Sequence, residues 1–224
     1  MIEIDFSGFL LAHKCMRVEY GRLAEVASGP RDTAHQALIE QQIAVTLSLL
    51  HHHHAEEDTW LWPTLRHRAP PAVADLDRLE AQHAHIDPLI AAAADTTRPL
   101  SQRASVLAEL HQAINAHLDD EERIALPLCA AHITAEEWDA FGQRALAGIP
   151  RPHLPIVLGL ATSEASPQEW AQLRQMLPPL VRVLFGMFWG PASGIRQAPP
   201  PPLFQGDRKP AIVRNLMLEA PGRV

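Results

Sequence analysis

Apolar side chains return every three or four positions through about the first 145 residues of the chain, the period of helices packed by one face. Between about Ser7 and Ser28 the stripe is Phe9, His13, Met16, Tyr20 and Leu23, and Gly29-Pro30 closes the segment. A second segment runs from Asp32, a suitable N-cap, to His67, just before Pro70-Pro71. The third covers Ala72 to Ala94, with Leu76, Leu79, His83, Ile86 and Ile90 in line, and stops in the stretch Asp95 to Pro99. The fourth reaches from Ser101 to His132, with Leu107, Leu110, Ile114, His117, Glu121, Ile124 and Leu128 on one face. Four long helices joined by short loops predict an all-α, antiparallel up-down-up-down four-helix bundle. A short fifth helix is expected over Thr134 to Ala147, opened by a capping box of Thr134 and Glu137.

Proline then divides the chain: seven of its twenty prolines precede residue 150 and thirteen lie from Pro150 onward. The reading is therefore a bundle over residues 1–147 and a helical, Pro-rich extension over 148–224. Residues 153–163 and 167–189 each have room for a helix, the second broken or kinked at Pro178-Pro179. Beyond residue 190 the run Pro199 to Pro202 points to an extended tail. The bulky cluster Phe185, Met187, Phe188 and Trp189 is expected to pack on the bundle or on a second copy of the chain, as in a homodimer.

Composition changes this picture only at the margins. A formal charge of −7 gives no electrostatic reason to expect nucleic acid as a partner. Cys15 and Cys129 are too few for a disulfide scaffold and read as two small thiols in a reducing cytoplasm. No apolar run reaches the roughly 18 residues that span a bilayer, and the first residues lack the basic and apolar regions of a signal peptide. The expected location is thus cytoplasmic, without a membrane. Histidine is the outlier, with thirteen residues in clusters.

Residues 53–63, HHAEEDTWLWP, align with residues 117–127, HLDDEERIALP, at an offset of 64. Both have His, three residues, Glu, a second acid, and Pro ten positions after the His. The packing stripe repeats as well: Ile43, Leu50 and Trp60 correspond to Leu107, Ile114 and Ile124. Residues four apart share a helix face, so each His-x-x-x-Glu pair offers an imidazole and a carboxylate to one place. Two such pairs, His53/Glu57 and His117/Glu121, have the composition of a non-haem di-iron or di-manganese site. A carboxylate turned into a bundle core is costly unless it is protonated or paired, and metal binding explains two of them on apolar stripes. Counting along the helices brings His13 and His83 to within about 10 Å of the same layer. In the run His51 to His54 only His53 keeps the register of the second copy, so His51, His52 and His54 are expected at the surface or behind a ligand. His35, His67, His85, His111, His132 and His153 are read as surface or capping residues, and Tyr20 as a core aromatic.

The order His13, His53-x-x-x-Glu57, His83, His117-x-x-x-Glu121 resembles the hemerythrin-like, or HHE cation-binding, family over about residues 10–145. The strings HHHHAEEDTWLWP and LEAQHAHID resemble actinobacterial members in particular. The resemblance implies a bundle around two iron ions joined by an oxo or hydroxo bridge. It makes Glu57 and Glu121 bridging carboxylates, and His13, His53, His83 and His117 terminal ligands. Two positions depart from the oxygen carriers. Asp87 stands where they have a second helix-three histidine, and is a candidate ligand, an acid behind one, or uninvolved; Pro88 should distort the helix there. Glu122 stands five residues after His117, where the carriers place an Asp, so Glu121 is the preferred bridge. With one imidazole missing the site is more open, which favours reaction with or sensing of H2O2, O2 or NO, in its enzyme form a catalase-like activity. The alternatives are an oxygen- or iron-binding module without turnover, and a structural bundle around a redox-inert metal such as zinc.

Overall fold

The computed structural model describes residues 4–30 and 32–176, and all regular structure among them is helical. The bundle is built from α1 (Ser7–Ala27), α2 (Thr33–Glu56), α3 (Trp62–Arg68), α4 (Val73–Ala94) and α5 (Leu100–His132). Helices α2 and α3 form one arm, joined by a π turn over Glu57–Leu61, where the periodicity predicts an unbroken helix. After the bundle come α6 (Ala135–Ala147), α7 (Leu154–Glu164) and α8 (Pro167–Met176). The expected break at Pro178-Pro179, the cluster Phe185 to Trp189 and the tail lie outside the described residues.

Local chemistry sets the ends of the arms. Asp32 is extended, and its carboxylate accepts the His35 backbone N–H at 2.7 Å, so α2 starts where its cap requires. Thr134 and Glu137 form both bonds of the capping box that opens α6. Pro88 lies inside α4, which continues through it. Ala84 and Pro88 both lie on its exposed side, where water can serve the carbonyl that the proline leaves without a donor.

Antiparallel packing follows from the contacts. His13 lies beside His53, and Tyr20, seven residues on, donates its hydroxyl to the Thr46 carbonyl, seven residues back. Helix α5 packs on both α1 and α4, and α2 completes the ring of four. The histidine layer is flanked by two apolar layers. On one side are Leu61, Trp62, Leu65, Leu76, Leu79 and Cys129; on the other are Tyr20, Leu23, Ile39, Ile43, Leu107 and Leu110. Each fully buried leucine or isoleucine stabilises by roughly 1.5–3 kcal/mol, so these layers hold the polar layer in a dry interior. Tyr20 is a core aromatic whose hydroxyl bonds α2. His35, expected as a surface or capping residue, is buried in the first turn of α2, where its backbone N–H is held by the Asp32 cap.

Helix α6 folds back over the first motif. Phe141 stacks on Trp60 at 5.2 Å between ring centroids, and the Arg144 guanidinium sits 4.9 Å above the same ring. His52 donates from Nε2 to the carbonyl of Ala145 at 2.9 Å. The chain then passes so close that a Cβ on Gly148 would meet His52 Cε1 at 2.2 Å, so a larger residue there requires the His52 ring to move. Helices α7 and α8 lie along α1, tied by Arg22 to Glu164 at 3.0 Å and by Gln172 to Asp5 at 3.0 Å.

Candidate metal centre

Five elements deliver side chains to one layer. Helix α1 supplies His13, α2 supplies His53 and His54, the π turn supplies Glu57, α4 supplies His83, and α5 supplies His117 and Glu121. Their donor atoms fall into two groups. His13, His53, Glu57 and Glu121 form one, and His54, His83 and His117 the other, with the donors of each group within 4.8 Å of one another.

The carboxylates link the groups. Glu57 Oε1 is 3.0 Å from His53 Nε2, while its Oε2 is 3.5 Å from His83 Nε2. Glu121 Oε2 is 3.5 Å from His13 Nε2 and 3.6 Å from His117 Nε2. Both glutamates are fully buried. Each therefore spans from a histidine of one group to a histidine of the other.

Outer hydrogen bonds fix which ring nitrogen carries the proton. His83 Nδ1 donates to Asp58 at 2.8 Å, and His13 Nδ1 donates to Glu122 at 2.9 Å. His117 Nδ1 donates to Gln82 Oε1 at 3.0 Å; the Gln82 amide is oriented by its own bond to Asp120 at 2.9 Å. In all three rings the Nε2 lone pair is left bare and turned inward. His83 Nε2 and His117 Nε2 then face each other at 3.1 Å, two acceptors without a proton between them. His13 Nε2 faces the Glu121 carboxylate in the same way. Lone pairs and carboxylate oxygens converging in a dry layer repel one another unless a cation sits among them. The donor set of imidazole nitrogen and carboxylate oxygen suits a first-row transition metal.

Protonation follows the same logic. Burial, reinforced by Glu121 and Asp58, lifts the Glu57 carboxyl well above its ordinary range, and burial raises Glu121 too. Burial and the crowd of neighbouring imidazoles hold His53 and His54 well below the usual histidine value, and push His117 down to about 3. These imidazoles are neutral near pH 7, as metal ligation requires. The Cys129 thiol, buried near both glutamates, is pushed upward and stays protonated.

Of the residues singled out by sequence, His13, His53, Glu57, His83, His117 and Glu121 come together. Asp87 does not join them: it lies on the exposed side of α4, one turn beyond His83. Glu122 stands behind His13 and holds Arg17 at 2.9 Å. His54, expected at the surface or behind a ligand, is buried against the rings of His83 and His117. The signal for it is helical spacing: His54 follows Leu47 and Leu50 by seven and four residues and precedes Leu61 by seven, and all three are buried.

The model of the hemerythrin HHE cation-binding domain matches residues 7–129, from the start of α1 into the last turn of α5. No curated protein and no solved structure matches the chain.

Proposed function

The chain belongs to the hemerythrin HHE cation-binding family, and on that premise we propose that its metal centre holds two iron ions that react with or sense a small ligand: H2O2, O2 or NO. The observation that carries this reading is the pair of buried glutamates, each lying between histidines of the two donor groups. His13, His53, His83 and His117 serve as terminal ligands, and Glu57 and Glu121 as the carboxylates shared by the ions. Bound iron would supply two adjacent one-electron centres and Lewis acidity.

The protein's own part is orientation, exclusion of water and proton exchange. Asp58 Oδ1 and Glu122 Oε1 hold the outer N–H of His83 and His13 and stand partly in solvent, with side-chain exposures of 36% and 30%. Each is a path for a proton between solvent and the layer. A groove of about 230 Å3 between α4 and α5, lined by Gln82, His85, Ile86, Ala113, Ala116 and His117, reaches the edge of the site.

A second reading, ligand binding without turnover, gains weight from His54. With that ring in the layer, five imidazoles accompany two carboxylates, and the shortage inferred at Asp87 is no longer a ground for preferring redox turnover. One experiment separates the readings. Iron-replete protein is expected to carry about two irons per chain by metal analysis, and peroxide is expected to release oxygen at an electrode. Two irons with reversible oxygenation and no oxygen release favour the binding module. Zinc in place of iron after iron-replete expression would overturn both.

A further inference from the structure

We propose that His54 is itself a metal ligand and completes a three-imidazole group with His83 and His117, leaving a two-imidazole group of His13 and His53. This deepens the two-iron reading and rests on it. The placement comes first: His54 is 3% exposed and lies nearly parallel to the His83 ring, at 3.9 Å between centroids and an 11° tilt, with His117 at 5.3 Å. A donor nitrogen of His54 lies within 4.8 Å of those of His83 and His117.

Satisfaction of its polar atoms comes second. Neither ring nitrogen of His54 has a hydrogen-bond partner among the described residues. Leaving both atoms of a buried imidazole unbonded costs on the order of 1–3 kcal/mol for each. A ring serving only as packing between Leu50 and Leu61 would be better made of carbon. The parallel face of His83 offers no hydrogen-bond donor, because its N–H points outward to Asp58. A cation shared with Nε2 of His83 and His117 answers the open valence on all three rings together.

The third observation is the direction in which His54 faces. Asp87, one turn beyond His83, is exposed and cannot contribute from α4. Adjacent residues on a helix diverge by about 100°, so His53 and His54 face different neighbours. His53 turns toward His13 and Phe9, and His54 toward α4 and α5. One helix thereby serves both groups, three residues before the chain widens into the π turn, a device frequent at functional sites. The two ions are inequivalent by one imidazole.

The test uses the full chain and ferrous iron alone, added without oxygen and counted after gel filtration. His54→Phe keeps the ring and removes both nitrogens. It is expected to fall from two irons per chain to about one, with one of two Mössbauer quadrupole doublets lost, while Asp87→Ala keeps two. The loss of affinity should exceed the 10–100-fold typical of removing a group behind a ligand. His54→Gly should regain the second iron when imidazole is added, which separates a lost ligand from a damaged fold. Two irons with an unchanged spectrum in His54→Phe would overturn the proposal and leave the two-iron reading intact. Wild-type protein that takes up no iron would overturn both. Failure of imidazole to restore iron to a folded His54→Gly chain would likewise count against ligation.

Discussion

In the first copy of the motif, His53 lies in the last turn of α2, and Glu57 and Asp58 open a π turn; in the second, His117, Glu121 and Glu122 lie within the unbroken 33 residues of α5. Behind the ligands the two copies do the same work crosswise. The second acid of the first copy, Asp58, holds His83 on α4, and the second acid of the second copy, Glu122, holds His13 on α1. Each copy thus supplies an imidazole, a carboxylate and the acid that orients a lone histidine on another helix. The copies differ around that common set. Among the described residues the first alone carries an inward second histidine and a widened turn, and its Trp60 stacks on Phe141 of α6. Duplication accounts for the paired carboxylates; the additions to one copy account for the inequality of the two donor groups.

If the outer acids are equivalent, removing either should cost the centre the same amount. Asp58→Ala and Glu122→Ala are each expected to weaken iron binding by about 10–100-fold, measured by competition with a chelator. The expected ratio between the two is within about threefold. A difference above tenfold would break the crosswise equivalence and show that Arg17, which shares Glu122, alters one half of the site.

A smaller effect concerns the two buried carboxylates. In the folded metal-free chain burial raises both Glu57 and Glu121 above their ordinary value of 4.5, reinforced at Glu57 by Glu121 and Asp58 and partly offset at Glu121 by His13. A carboxyl whose folded pKa is raised keeps its proton where the unfolded chain has lost it. Its presence therefore costs stability progressively as pH rises above about 4.5, until the folded group ionises too. Glutamine carries no such cost. Metal-free Glu57→Gln should match wild type near pH 5 and exceed it by on the order of 1–2 kcal/mol at pH 8, by urea denaturation. Glu121→Gln should gain in the same direction. Gains that shrink toward pH 8 at either position would contradict the raised carboxyls.

The bundle was legible because its stripes are long and its ends carry caps whose chemistry is local, as at Asp32 and Thr134. Four residues of the buried layer were legible because the repeat places histidine and glutamate four apart on apolar faces, and His13 and His83 followed from counting along their helices. His54 was hidden by the register that reveals His53: an alignment to the second copy, where Leu118 occupies the equivalent position, discards it. The π turn had no sequence mark either. Pro63 follows it, but Pro127 stands at the same place in the second copy, inside an unbroken helix, so proline alone does not decide it. Asp87 is a candidate ligand only through the resemblance, standing where the oxygen carriers have a second helix-three histidine; the face of α4 that it occupies depends on how α4 packs, which the resemblance does not give.

The smallest expected effect concerns the cover helix. Helix α6 begins at the Thr134 cap and reaches the first copy through Phe141 on Trp60, Arg144 beside Glu56 at 3.6 Å, and the Ala145 carbonyl on His52, while its Trp138 packs on Phe6 and Phe9. Thr134→Ala removes the side-chain bond to the Glu137 N–H and should cost about 1 kcal/mol. The loss is local, because the four bundle helices keep their own apolar layers. Fraying of α6 should then release Trp60 and His52 before it reaches α5. Amide exchange is expected to quicken over the π turn, Glu57–Leu61, and over α6, and to stay unchanged around Glu121. Equal quickening at both copies would mean that α6 supports the whole bundle, and the difference in cover between the two halves would carry no weight for the site.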